Sequence, residues 1–204
     1  MELVRPVCEM VHRDAKKLLY PGAVALDATM GNGEDTAFLC EAVGADGKVY
    51  AFDVQDDAIA STRRRLKEAG LLDRVVMIKD GHENIHEYVK EAVDVGVFNL
   101  GYLPGGDHAI TTLAATTVRA ITHCLALLKE EGAVLIGLYW GHQSGEEEKK
   151  AVEAFLATLS PADWAIAETR FPNREKAPLF IEIQKKRYGH GNESIQTKDD
   201  SENN

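Results

Sequence analysis

The sequence predicts an α/β protein, a doubly wound sheet of seven mostly parallel strands with the last strand reversed. Short apolar runs rich in Val and Ile alternate with stretches of helical periodicity along most of the 204 residues, the pattern of repeated strand–helix units. The first four runs each reach a polar residue, Asp27, Asp53, Asp80 and Asn99, which lines these up at the carboxyl edge of the sheet, where open α/β folds bind ligands. The last two runs, near 164–171 and 178–185, are joined by a short loop containing Pro172 and Asn173. So short a connection holds no crossover helix, so the final strand runs antiparallel to its neighbour.

Taken in order, residues from about 4 to 19 place Val4, Val7, Val11, Leu18 and Leu19 at helical spacing, and Tyr20-Pro21-Gly22 stops this leading helix. Strand one covers about 23–27, and the helix behind its glycine turn runs to about Val43. Gly44-Ala45-Asp46-Gly47 turns into strand two, Lys48 to Asp53. A helix from Ala58 to Ala69 is ended by Gly70; strand three is Val75 to Asp80, and a short helical piece spans His86 to Glu91. Strand four, Asp94 to Asn99, opens into a long loop with a proline and three glycines, and a helix follows from about Thr111 to Leu128. Lys129-Glu130-Glu131-Gly132 reads as a turn into strand five, Ala133 to Tyr139, and the last helix spans about Glu146 to Leu159.

The stretch from 1 to 188 makes one domain, large enough to bury a core, and the polar run 189–204 reads as a tail. No apolar stretch approaches a membrane span and the N-terminus lacks a signal-peptide core, which predicts a cytoplasmic protein. Cys8, Cys40 and Cys124 are odd in number and far apart, so they form neither a disulfide framework nor a metal site. Cys40 and Cys124 sit in apolar helical patterns as small hydrophobes. A formal net charge of −10 argues against nonspecific coating of nucleic acid. It leaves room for a local grip through Arg13/Lys16/Lys17, Arg63-Arg64-Arg65 or Arg170/Arg174/Lys176.

Within this frame the turn Asp27-Ala28-Thr29-Met30-Gly31-Asn32-Gly33-Glu34-Asp35-Thr36 hands a buried strand to a helix. Gly31 and Gly33 let the backbone approach a ligand, and the helix start offers unpaired N–H groups. Asn32, Asp35 and Thr36 complete the turn as candidate contacts. A dinucleotide fingerprint calls for Gly or Ala at the position of Thr36, and no P-loop Gly-Lys-Ser/Thr follows. A carboxylate ending strand one suits a cationic, phosphate-free ligand, which favours S-adenosylmethionine. Asp53, twenty residues after Gly33, stands where ribose hydroxyls are gripped, with Gln55 beside it. Asp80-Gly81-His82 sits where the adenine edge is met.

The second stretch, Asn99-Leu100-Gly101-Tyr102-Leu103-Pro104-Gly105-Gly106-Asp107-His108, resembles the Asn/Asp-Pro-Pro-Tyr loop of methyltransferases that alkylate exocyclic amines, with Leu100-Gly101 in place of Pro-Pro. In that chemistry the Asn oxygen accepts the amine's protons and aims its lone pair at the methyl sulfonium, while the aromatic ring, here Tyr102, stacks on the base. Leu103 and Gly106 fall within the same loop as substrate contacts. An alkylammonium acceptor titrates near ~10 and must lose a proton first; Asp107, His108 or His142 are candidates, as is water. Tyr139, Trp140 and His142 at the end of strand five offer a wall for a stacked base, and His12 on the leading helix closes the pocket.

The seven-stranded sheet with a reversed last strand is the shape of class I (Rossmann-like) methyltransferases. Asp27 to Gly33, Phe52-Asp53-Val54-Gln55, Phe98 to His108 and Tyr139-Trp140-Gly141-His142 together resemble one bacterial S-adenosylmethionine-dependent family labelled rRNA methylases, over about residues 5–186. The family's best-understood members act on tRNA, methylating the amine of 5-aminomethyl-2-thiouridine at the wobble position. The resemblance implies cofactor contacts at Asp27, Gly31 to Gly33, Asp53, Gln55 and Asn99, with S-adenosylhomocysteine as product, a tRNA anticodon stem-loop as partner and no metal. Val54 stands where Ile is common, and the tail after Gly189 is extra. Methylation of rRNA or of a small-molecule amine, a non-enzymatic nucleotide-binding role, and a homodimer all stay open.

Overall fold

The computed structural model describes residues 5–101, 111–142 and 144–187. Helix α1 spans Val7–Leu18, β1 Val24–Asp27 and α2 Glu34–Val43. Strand β2 (Lys48–Phe52), α3 (Asp56–Ala69) and β3 (Val75–Ile78) follow. A 3-10 turn at His82–Asn84 leads into the single-turn α4 (Ile85–Tyr88), then β4 (Val93–Leu100) and α5 (Ala114–Leu127). The chain ends in β5 (Leu128–Leu138), α6 (Gly145–Leu156), β6 (Trp164–Thr169) and β7 (Leu179–Lys185).

The strands form one sheet in the order β3-β2-β1-β4-β5-β7-β6. The β1–β2, β1–β4, β2–β3 and β4–β5 pairs are parallel. Strand β7 is antiparallel to both β5 and β6, the reversal that the short loop through Pro172 requires. The chain order reverses direction between β1 and β4, so the carboxyl ends of these two strands flank the topological switch point.

Side chains alternate between two buried layers, as the period of a strand demands. Val24 and Leu26 of β1, Val134, Ile136 and Leu138 of β5, and Leu179, Ile181 and Ile183 of β7 face α5, with Ile121, Cys124 and Leu125. The intervening Ala25, Ala133, Leu135 and Phe180 face α1 and α2, with Val7, Val11, Leu39 and Val43. In β4, Val95 and Val97 belong to the second layer, so Asn99, two residues further, is carried on the face that α1 and α2 cover. Each fully buried Leu, Ile or Phe contributes roughly 1.5–3 kcal/mol.

Strand three stops at Ile78, the short helix at Tyr88 and the last helix at Leu156, each two or three residues before the expected end, and two further differences have a visible cause. Strand β5 begins at Leu128 rather than Ala133, yet its pairing jumps from Val93–Leu128 to Val95–Ala133. Residues Lys129 to Gly132 are thus extruded as a bulge, with Glu131 at φ 63°, so the expected turn survives as an irregularity inside a longer strand. Helix α5 starts at Ala114 because the Thr111 and Thr112 side chains bond Gly101 and Glu148 instead of continuing a helix.

Candidate active site

The turn after β1 is built from backbone geometry. Met30 N donates to Phe52 O (2.8 Å) and Gly33 N to Met30 O (2.9 Å). Gly31 and Gly33 take φ of 51° and 78°, a region that L side chains avoid. A Cβ on Gly33 would stand 2.6 Å from Thr62 Oγ1 and 2.9 Å from its Cα, so this glycine also lets α3 close on the turn.

The two Asp53 oxygens accept Gly31 N (3.0 Å) and Gln55 N (2.9 Å), locking the turns after β1 and β2 together. Each oxygen keeps a further lone pair for a ligand hydroxyl. Asp80 accepts Gly81 N (2.7 Å), Tyr88 Oη–H (2.8 Å) and Asn84 Nδ2 (3.0 Å), and these bonds hold its carboxyl below the usual range. His82 is buried, with Nδ1 3.2 Å from Ala28 O, and burial lowers its pKa, which keeps it neutral.

Asp27 behaves differently. It is fully buried and accepts Thr36 Oγ1 (2.6 Å) and Thr29 N (3.1 Å). Burial, and then the nearby Asp35 carboxylate, push it up to about 7. Its bonds make it a brace for the turn.

A cavity of about 330 Å³ opens at the carboxyl ends of β1, β2 and β4. Of the residues expected to hold a cofactor, Gly31, Asp53, Gln55, Asp80, Gly81, His82 and Asn99 line it. Asp27, Asn32, Gly33, Asp35 and Thr36 stand outside that lining. The wall opposite Asp53 comes from Thr111, Thr112, Leu113 and Thr116, which the sequence pattern did not single out. Of these, Thr112 is held by Glu148, itself only 1% exposed, which accepts Thr112 Oγ1 (2.9 Å) and the neighbouring Thr117 Oγ1 (2.6 Å), while Thr111 Oγ1 donates to Gly101 O (2.9 Å). Nothing in Glu146-Glu147-Glu148 marks the third acid as the buried one.

At the edge of the cavity, Asn99 N donates to Thr29 Oγ1 (2.7 Å). Its Nδ2 donates to Asp35 Oδ2, and the other oxygen of Asp35 meets His12 Nε2. The His12 ring lies flat on Phe38, centroids 4.0 Å apart. Asn99 Oδ1 is buried and has no hydrogen-bond partner among the described residues. It occupies the space over Gly137, where a Cβ would stand 2.7 Å from it and 3.0 Å from Val7 Cγ1. A lone glycine inside an apolar strand is the sequence mark of such a close approach.

Tyr139 and His142 flank Gly101, where an added Cβ would lie 3.3 Å from Tyr139 Cβ and 4.0 Å from His142 Nε2. The Tyr139 phenol is pushed up to about 12 by partial burial and by nearby Cys8 and Asp35, so it stays protonated. Trp140 turns away: its Nε1 donates to Ala177 O (2.7 Å) and its ring packs against the core. Tyr102, Leu103, Gly106, Asp107 and His108 lie outside the described residues. The expected basic patches are partly neutralised, Arg13 and Lys17 by Asp14, Arg65 by Glu34 and Arg170 by Glu153 and Glu168. No described helix is long and apolar enough to cross a membrane.

The family model described as "Putative rRNA methylase" matches residues 49–185 of the chain. The chain is similar to the tRNA (mnm(5)s(2)U34)-methyltransferase, chloroplastic, of Arabidopsis thaliana, 36% identical over 189 residues that cover 85% of this chain and 67% of the relative. The crystal structure of a "putative rRNA-methylase" from Clostridium thermocellum shares the fold with a TM-score of 0.88 at 39% identity, covering 90% of this chain and 100% of that one. A "putative methyltransferase" from Streptococcus mutans in complex with SAH gives a TM-score of 0.82 at 36% identity over 90% of this chain and 99% of that one.

Proposed function

The chain belongs to the family described as "Putative rRNA methylase" and is an S-adenosylmethionine-dependent RNA methyltransferase of the class I fold; from that premise we propose that it N-methylates the 5-aminomethyl group of (2-thio)uridine at the tRNA wobble position. The relative from Arabidopsis thaliana, whose name carries that modified base, supports the acceptor. The domain is taken as 1–188, and a cytoplasmic setting goes with its free thiols.

The observation that carries the proposal is Asn99 Oδ1, buried and without a hydrogen-bond partner among the described residues, on a residue that lines the cavity. An acceptor left without a donor costs about 1–3 kcal/mol, and an amine N–H brought by a substrate removes that cost. The residues present fit the cofactor. Two positive-φ glycines give its chain a close approach, and Asp53 keeps lone pairs for ribose hydroxyls. Asp80, Gly81 and the neutral His82, which line the same cavity, would hold the adenine end. When bound, the cofactor supplies an activated methyl group on a sulfonium.

The protein's part is positioning. Asn99 Oδ1 accepts one amine proton and orients the lone pair for in-line displacement. Holding two reactants in this way can lower a barrier by about 7–11 kcal/mol. Tyr139, kept protonated, borders the same edge. The acceptor's ammonium proton leaves before attack, to solvent or to a base among His142, Asp107 and His108, so that the neutral amine is what displaces the methyl group.

Methyl transfer from radiolabelled S-adenosylmethionine tests the proposal, with tRNA from cells lacking the terminal modification as acceptor. Label is expected in the wobble nucleoside. Label appearing only in rRNA, or only in a free amine offered in parallel, would move the acceptor to that class. No transfer to aminomethyl tRNA sinks the wobble assignment.

A further inference from the structure

Asn99 poses a problem that its own chemistry does not solve. The two ends of a carboxamide have nearly the same shape, and only hydrogen bonding decides which faces a ligand. An amine acceptor needs the oxygen end; with the NH2 end outward, donor would meet donor.

We propose that Asp35, held by His12, is the positioning residue that selects the productive orientation of Asn99 and so makes the site specific for a hydrogen-bond-donating amine. An ionised carboxylate only accepts, so the Asp35 Oδ2 contact fixes Nδ2 toward Asp35 and leaves Oδ1 as the end without a partner among the described residues. His12 engages Oδ1 of the same carboxylate, and the ring stacked on Phe38 holds it there. The carboxylate thus has both oxygens committed and no freedom to turn. Thr29 Oγ1 fixes the Asn99 backbone (2.7 Å), and Gly137 leaves the room that Oδ1 fills. Four elements converge on this one amide: α1, α2, β4 and β5. Asp35 does not line the cavity, so its work is done through Asn99. The proposal rests on Asn99 being the group that meets the amine.

The test is a polarity swap. In Asp35→Asn the neighbour can donate, so the wrong end of Asn99 is no longer excluded. In Asn99→Asp two carboxylates face each other. Both single variants are expected to lose roughly 30-fold or more in single-turnover rate, the scale of a lost hydrogen bond to a charged group. In the double variant Asp35→Asn/Asn99→Asp, the new amide donates to the new carboxylate and accepts from His12, which leaves one carboxylate oxygen free for the amine. Its rate is expected within about tenfold of wild type. Affinity for S-adenosylhomocysteine, measured by titration calorimetry, is expected within threefold of wild type in all variants, which also reports a folded donor site.

A double variant no faster than the slower single overturns the proposal. So does a loss of S-adenosylhomocysteine affinity in Asp35→Asn that matches its loss of rate, which would make Asp35 a cofactor ligand. A second readout needs no turnover. The Asn99 side-chain NH2 resonances, assigned by their absence in Asn99→Asp, should be protected from solvent exchange in wild type and lose that protection in Asp35→Ala. Unprotected resonances in wild type, or no change in Asp35→Ala, overturn the proposal. If wild type fails to methylate aminomethyl tRNA, the wobble reading falls while this second readout still decides on Asp35.

Discussion

Around Asp53 and Asp80, the acids are held mainly by turn backbone close at hand: Asp53 by Gln55 N two residues on and by Gly31 N of the adjoining turn, Asp80 by Gly81 N and Asn84 Nδ2. Around Asn99, the partners come from afar. Asp35 lies 64 residues away in sequence, Thr29 lies 70 away, and His12 reaches Asp35 from a separate helix. The first half is preorganised largely by the backbone of two adjoining turns, the second by side chains packed between elements. A ligand-holding surface tolerates small errors because several contacts share the load. Orienting a reacting amine does not, since a displacement of about 1 Å can cost on the order of 100-fold in rate. The half proposed to face the reaction is the one tied to α1, α2, β4 and β5 at once.

Substitutions can break or sharpen this contrast. The largest effect is expected from Asn99→Ala, with turnover down on the order of 100-fold and S-adenosylhomocysteine affinity nearly unchanged. Rapid-quench kinetics beside calorimetry measures both, and near-wild-type turnover would remove Asn99 from the reaction. Asp53→Ala should show the opposite split, weakening cofactor binding by about 1.5–3 kcal/mol while saturating cofactor restores much of the rate. Unchanged affinity in calorimetry would put the ribose elsewhere.

The smallest effect concerns Asp27, the brace behind the donor turn. Its carboxyl ordinarily titrates near 3.8 and is pushed up to about 7 in the folded protein. A folded pKa above the unfolded one means the native state binds more protons across that window. The Asp27 contribution to stability is therefore full below the lower value and is lost as pH rises toward the higher one. Asp27→Asn removes this dependence, so its stability relative to wild type should improve between pH ~4.5 and ~7.5. Urea unfolding at the two pH values checks the sign, and a pH-independent difference would contradict it.

The same contrast explains what could be read from the chain. Strand alternation, the Gly31–Gly33 turn and the acids closing β1 to β3 are local patterns, because a turn and its capping acid are made by neighbours in sequence. The reversed β7 was equally legible, since the Pro172 loop is too short to cross the sheet. Asn99, too, stood out in the loop that β4 opens, but what holds it did not. His12 read only as a residue that closes the pocket and Asp35 as one more contact in the turn. Gly137, inside strand five, was not singled out at all.

By itself, then, the sequence determined the α/β class, the glycine turn after β1 and the asparagine near the end of β4. Only the tertiary structure decided that Asp27 braces the turn and that Asp35 reaches Asn99, whose oxygen is left without a donor among the described residues. The physical reason is that sheet parity puts Val95, Val97 and Asn99 on the face covered by α1 and α2. Which helix residues then meet an amide on that face depends on how the helices pack, and no local pattern records it.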